Sequence, residues 1–157
     1  MRPLAAGVML LAAALSACGP RLPKGVDADK LDQAVSDAIG DPNTCMLIGR
    51  QGSAEVVWRY NTHTTCARAL PACDAPTTRT VADLLQATAK DGQARALSCN
   101  SAPDGSRGVG WSSGVIGESG LVYAAVMVGP RALPGLIMAD KIEGALQDAG
   151  FRPTPAS

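Results

Sequence analysis

Thr44-Cys45-Met46-Leu47-Ile48-Gly49-Arg50, then Gln51-Gly52-Ser53, then Glu55-Val56-Val57-Trp58-Arg59-Tyr60 spells a β-hairpin. The first segment is an apolar run of strand length. Gly52 and Ser53 supply turn chemistry, and the return segment is rich in β-branched and aromatic residues. Successive side chains of a strand point to opposite faces, so Val56, Trp58 and Tyr60 share one face and Glu55, Val57 and Arg59 the other. A hairpin joins antiparallel neighbours, and the apolar face of such a sheet needs helices to cover it.

The flanking sequence supplies those helices. Upstream, Leu31, Ala34, Val35, Ala38 and Ile39 recur at helical spacing behind Asp27 or Asp29 as a cap, and Gly40 and Pro42 stop the helix. Residues 61–76 lose all periodicity. A second helix is predicted after Thr80, with Asp83 three residues on, burying Val81, Leu84 and Leu85 and closing at Asp91-Gly92. A short strand over 94–100 follows, then a second hairpin from 107–116 and 121–128 about Glu118-Ser119-Gly120. The last helix is expected over 133–149, with Met138, Ile142, Ala145, Leu146 and Ala149 inward and Gly150 and Pro153 as stops. This order predicts an α+β domain, an antiparallel sheet of about five strands with the N- and C-terminal helices on one face. Nothing repeats at a fixed period, which excludes solenoids and propellers.

Composition narrows the class. A chain of 157 residues fits one domain. Its 14 Lys and Arg balance 14 Asp and Glu, so the basic footprint of a nucleic-acid binder is missing. An apolar fraction of 46% is not that of a disordered chain. With aromatics at only 3%, the core is expected to be built from Ala, Val, Leu, Ile and Met, with Trp58 and Trp111 inside it.

Arg2 and the apolar run from Leu4 to Leu15 have the form of a secretory signal, too short to span ~30 Å of hydrocarbon. Leu15-Ser16-Ala17-Cys18 resembles the lipobox of bacterial lipoproteins. The resemblance implies thioether lipidation of Cys18, cleavage after Ala17 and acylation of the new amino terminus, a stable membrane anchor. Gly19 in place of Asp implies the outer membrane, with the protein facing the periplasm. Residues 1–17 are then a signal peptide, 18–25 a lipidated tether rich in Pro and Gly, 26–151 the single domain and 152–157 a flexible tail.

The element order is similar to the α/β half of serine β-lactamases and DD-peptidases. Residues 55–61 resemble their second strand, and Gly110-Trp111 through 121–127 with the helix beyond resembles their closing hairpin and helix. The resemblance implies a reduced β-lactamase-like core, but the chemistry of that family is missing. Its Ser-x-x-Lys has no counterpart, because Lys24, Lys30, Lys90 and Lys141 have Arg21, Asp27, Ala87 and Met138 three places earlier. Cys66-Ala67-Arg68-Ala69 stands where the nucleophile is expected, and Ala69 cannot replace an ammonium. Ser98-Cys99-Asn100 fits the family's Ser-x-Asn only by spacing, and Ser106-Arg107-Gly108 replaces Lys-Thr-Gly.

Cys45, Cys66, Cys73 and Cys99 remain once Cys18 is set aside, and an even number in an oxidising compartment predicts two disulfides. Cys66–Cys73 with Cys45–Cys99 is preferred, because it staples the unpatterned loop locally. Cys45–Cys66 with Cys73–Cys99 is the alternative, because the hairpin brings position 45 near residue 60 and beyond. Two sharper chemistries compete: a zinc site from His63, Cys66, Cys73 and Cys99, and a Cys66 thiol activated by His63. Irregular spacing weighs against the first and the lack of an orienting third residue against the second. Gly108-Val109-Gly110-Trp111-Ser112-Ser113-Gly114 approaches a dinucleotide fingerprint, but a strand follows it, so these glycines are read as allowing close backbone approach or a bulge. The expectation is a lipid-anchored envelope protein with a non-catalytic binding or structural role and no cofactor or metal. Its partners are the membrane, through Cys18, and an envelope protein or peptidoglycan. An envelope hydrolase using Cys66 is the alternative.

Overall fold

A computed structural model describes residues 21–153. Residues 1–20, which include the stretch expected to be a signal and Cys18, and residues 154–157 lie outside the described residues. The first helix, α1 (Ala28–Ile39), starts at Asp27, whose side chain accepts from Lys30 N at 3.0 Å. Strands β1 (Cys45–Arg50) and β2 (Val56–Tyr60) form the first hairpin, with a bulge between Ile48 and Gly49. Residues 61–76 are less shapeless than their sequence suggests. They hold the short helix α2 (His63–Cys66) and strand β3 (Leu70–Pro71), which pairs with β4 (Thr78–Arg79) to make a strap.

Helix α3 (Val81–Asp91) opens on the expected capping box, in which Asp83 N donates to Thr80 Oγ1 and Thr80 N donates to Asp83 Oδ2. Gly92 ends it at φ 67°, a left-handed turn that favours glycine. Strands β5 (Arg95–Asn100), β6 (Gly108–Val115) and β7 (Leu121–Gly129) complete the sheet, and α4 (Gly135–Asp148) closes the chain. The five-stranded sheet has the order β2-β1-β7-β6-β5 and is antiparallel throughout.

Both faces of the sheet are covered. Met46, Ile48, Tyr123, Ala125 and Met127 point to one face and pack on Leu31 and Val35 of α1 and Met138 and Ile142 of α4. The alternate residues Leu47, Val122, Ala124 and Val126 point to the other and pack on Val81, Leu84 and Leu85 of α3. The terminal helices share one face, as expected. Two-sided burial explains why every residue of β7 is buried and its sequence runs apolar without polar alternation. Trp111 is fully buried on the α3 face, where its Nε1 donates to Pro71 O at 2.8 Å. Trp58 is only half-buried at the α1 side, donating from Nε1 to Asp32 Oδ1 at 3.0 Å.

Two boundaries shift. Leu22 and Val26 pack against the α1–α4 core, so packing starts within the stretch read as a bare tether. Helix α4 begins at Gly135, after Pro134 as its N-cap, because a glycine is needed there. A Cβ on Gly135 would lie 2.3 Å from Trp111 O and 2.5 Å from Leu97 N. A Cβ on Gly110 would lie 2.0 Å from Leu133 O, which gives the glycines of 108–114 the close-approach role read from the sequence.

Candidate binding cleft

The preferred disulfide pairing is corrected by the structure. Cys45 bonds to Cys66 (S–S 2.02 Å) and Cys73 to Cys99 (2.05 Å). The physical reason lies in the hairpin. Asn61, φ 75°, turns the chain back after β2, and its side-chain amide donates to Thr44 O at 3.0 Å. That hydrogen bond delivers α2, with Cys66 on its buried side, next to β1. Cys73 then rides on the strap, which lies against β5, where Cys99 sits.

This pairing removes the sulfur chemistries. Cys66 has no thiol to act as a nucleophile, and a zinc site loses all three of its sulfur ligands. Among the described residues no group of three or more His, Cys, Asp or Glu side chains is placed to hold a metal. His63 does not face Cys66 as a base; its Nδ1 lies 3.0 Å from Arg59 Nη1, which donates to it. Ser98 is a structural acceptor, its Oγ taking the N–H of Gly135 at 2.9 Å.

One concave feature among the described residues is not announced by the sequence. Because α4 is pressed to the sheet at Gly110 and Gly135, a cleft of about 770 Å³ lies between its outer face and the start of β5 and end of β6. That volume is in the range of ligand-binding clefts. Ala94, Ala96 and Gly114 keep it open by being small. Leu136, Ala139, Asp140 and Glu143 form the α4 wall, and Arg152 and Pro153 close one end.

The cleft has one polar group in its floor. Tyr123 is 8% exposed, and its Oη lies 3.0 Å from the buried Ser112 Oγ, with either able to donate. A single bond uses only one of the two hydroxyl hydrogens, and neither hydroxyl has another partner among the described residues. Burial holds the Tyr123 phenol above its usual pKa; the Ser112 bond works in the opposite direction and Glu143 adds to the rise. On the opposite face of the same strands Ser113 is spent, accepting from Thr88 Oγ1 at 2.7 Å. Arg95 Nη2 holds Asp91 Oδ2 at 2.5 Å, and this hydrogen bond, with the Gln93 backbone N–H, brings the Asp91 carboxyl down to about 2.

Comparison with known protein families, with curated proteins and with solved structures finds no match for this chain. The α+β class stands on the fold itself, and nothing in these comparisons supports a β-lactamase-like origin.

Proposed function

We propose that the chain is a lipid-anchored protein of the bacterial cell envelope, attached through Cys18 at the outer membrane. On this reading its domain has a non-catalytic binding or structural role on the periplasmic side, toward an envelope protein or peptidoglycan. The observation that carries this reading is the arithmetic of sulfur. Of five cysteines, four pair with one another, so Cys18 has no partner within the chain. Two disulfides in so small a domain fit an oxidising compartment, and an odd cysteine behind Leu15-Ser16-Ala17 fits thioether lipidation. The binding role is supported by the cleft and by a Cys66 whose sulfur is bonded to Cys45.

Metabolic labelling with an alkyne-tagged palmitate tests it. The full chain should take up label, lose residues 1–17 and fractionate with membranes, while Cys18→Ala should remain unlabelled and uncut. An unlabelled full chain that retains residues 1–17 in its native cell would refute the proposal.

A further inference from the structure

The two edges of the sheet differ in how they are protected. Natural edge strands are blunted by bulges, charges or prolines, because their unpaired N–H and C=O groups are templates for another chain. Strand β2 is guarded in this way. It is bulged against β1, bracketed by Ala54 at φ 58° and Asn61 at φ 75°, and tied to α1 through Trp58 and Asp32. Strand β5 pairs with β6 at every position from Arg95 to Asn100 without a bulge and carries neither Lys nor Pro. Its one charge, Arg95, is turned to Asp91 on α3.

The direction of the free groups follows from the ladder. Ser101 N donates to Arg107 O at 2.9 Å, just beyond the Asn100–Gly108 pair. Bonded and non-bonded pairs alternate in an antiparallel ladder, so Leu97 and Cys99 bond to β6 while Ala96, Ser98 and Asn100 direct their N–H and C=O outward. Leu97 N and Trp111 O both lie within 2.5 Å of the Cβ position of Gly135, as that assignment requires. Among the described residues nothing bonds to the outward amides, and Ser98 and Asn100 are exposed.

We propose that this edge takes up an extended peptide segment of a partner protein as a sixth strand, whose side chains on the α4 side enter the cleft and include a basic residue beside apolar ones. The inference deepens the binding role proposed above and rests on it, but not on the anchor at Cys18. Strand addition draws affinity from main-chain hydrogen bonds and specificity from pockets for alternate side chains, and edge and cleft supply these two parts. The apolar preference comes from Leu136, which lines the cleft while 74% exposed, and Val115, 37% exposed. The basic preference comes from Asp140 and Glu143, one turn apart on the α4 wall and neither in an ion pair among the described residues; of the two cations that line the cleft, Arg95 is held by Asp91 and Arg152 stands at the end that it closes with Pro153. A second copy of the chain is disfavoured, because joining two β5 edges about a two-fold axis puts both acidic α4 walls on the same side of the joined sheet.

The test is amide exchange and titration by NMR on the full-length chain in mild detergent, with three end-blocked probes. These are Thr-Val-Thr-Lys-Thr-Val-Thr, whose Val, Lys and Val share one face, the same peptide with Glu for Lys, and the Lys peptide with alternate backbone nitrogens methylated. The Lys peptide should slow exchange at Ala96, Ser98 and Asn100. The Glu peptide should bind about two- to fivefold more weakly for each ion pair it cannot form, and the methylated peptide should not bind. Asp140→Asn with Glu143→Gln should abolish the preference for Lys over Glu without changing Tm. Absent protection at those three amides, equal binding of the methylated peptide, or concentration-dependent protection of the same amides by the chain alone (a second copy) would each overturn the proposal. Such a failure beside palmitate uptake at Cys18 removes only this surface; an unlabelled Cys18 beside peptide binding removes only the anchor.

Discussion

Toward α1 and α4 the sheet presents Met46, Ile48, Ala125 and Met127, and two helices of 12 and 14 residues supply the cover. Toward α3 it presents Leu47, Val109, Trp111 and Val126, and the cover is one helix of 11 residues with the short pieces α2, β3 and β4. All four paired cysteines lie on this second face, and the core of the first contains none. A long amphipathic helix holds its face by apolar area along several turns, whereas pieces of two to four residues bury too little to offset their own ordering entropy. The poorly helical face is the one held covalently.

Removing the bridges should break this contrast most severely. Each closes a loop for which the chain-entropy relation gives about 3–4 kcal/mol, so replacing all four cysteines with Ala removes much of the stability of a typical domain. Urea unfolding should show that loss. Exchange in Cys73→Ala/Cys99→Ala should rise first in residues 70–79 and at the Trp111 indole while α1 and α4 stay protected. Equal loosening of both faces would show that the sheet distributes the strain and that the contrast is false.

A smaller effect sharpens the other side. Ile142 is fully buried between α4 and the sheet, and Ile142→Ala should cost about 2–5 kcal/mol. The sites do not touch the bridges, so the same cost should be measured with the disulfides intact or reduced. A cost that depends on reduction would couple the two cores.

The smallest expected effect concerns the ion pair at the end of α3. Asp91 has its folded pKa depressed to about 2 by Arg95, so the pair contributes stability above the ordinary carboxylate pKa, and that contribution is lost as pH falls from about 4 toward 2. In Arg95→Ala the Asp91 carboxyl should titrate higher by NMR, shifted toward its ordinary value of 3.8 but still held below it by the Gln93 N–H, and Arg95's share of the acid dependence should disappear. Tyr123 behaves in the opposite sense: its raised pKa leaves stability undiminished below about pH 10 and lowers it as pH rises beyond.

The legible parts of the fold are those fixed by local periods and caps. The stripe from Leu31 to Ile39, the alternation in β2, the Thr80–Asp83 box and the inward set of α4 each depend on residues a few positions apart. The disulfide pairing is not legible in this way, because it depends on where Asn61 sends the chain, a left-handed turn that no period announces. The cleft was missed for a similar reason. Its walls are brought together by residues far apart in sequence, and the only local trace is the pair Gly110 and Gly135, whose meaning emerges once Leu133, Trp111 and Leu97 are placed against them.

The bridges also have an order along the chain. Cys45 joins Cys66 before Cys73 appears, and Cys73 joins Cys99, so the two covalent rings are consecutive and neither nested nor interlocked. A chain emerging amino end first into an oxidant can therefore close each ring with the next thiol to arrive and reach the native connectivity without reshuffling. β6, β7 and α4 lie outside both rings, so the central strand is free to insert between β1 and β6 after the sulfur chemistry is complete.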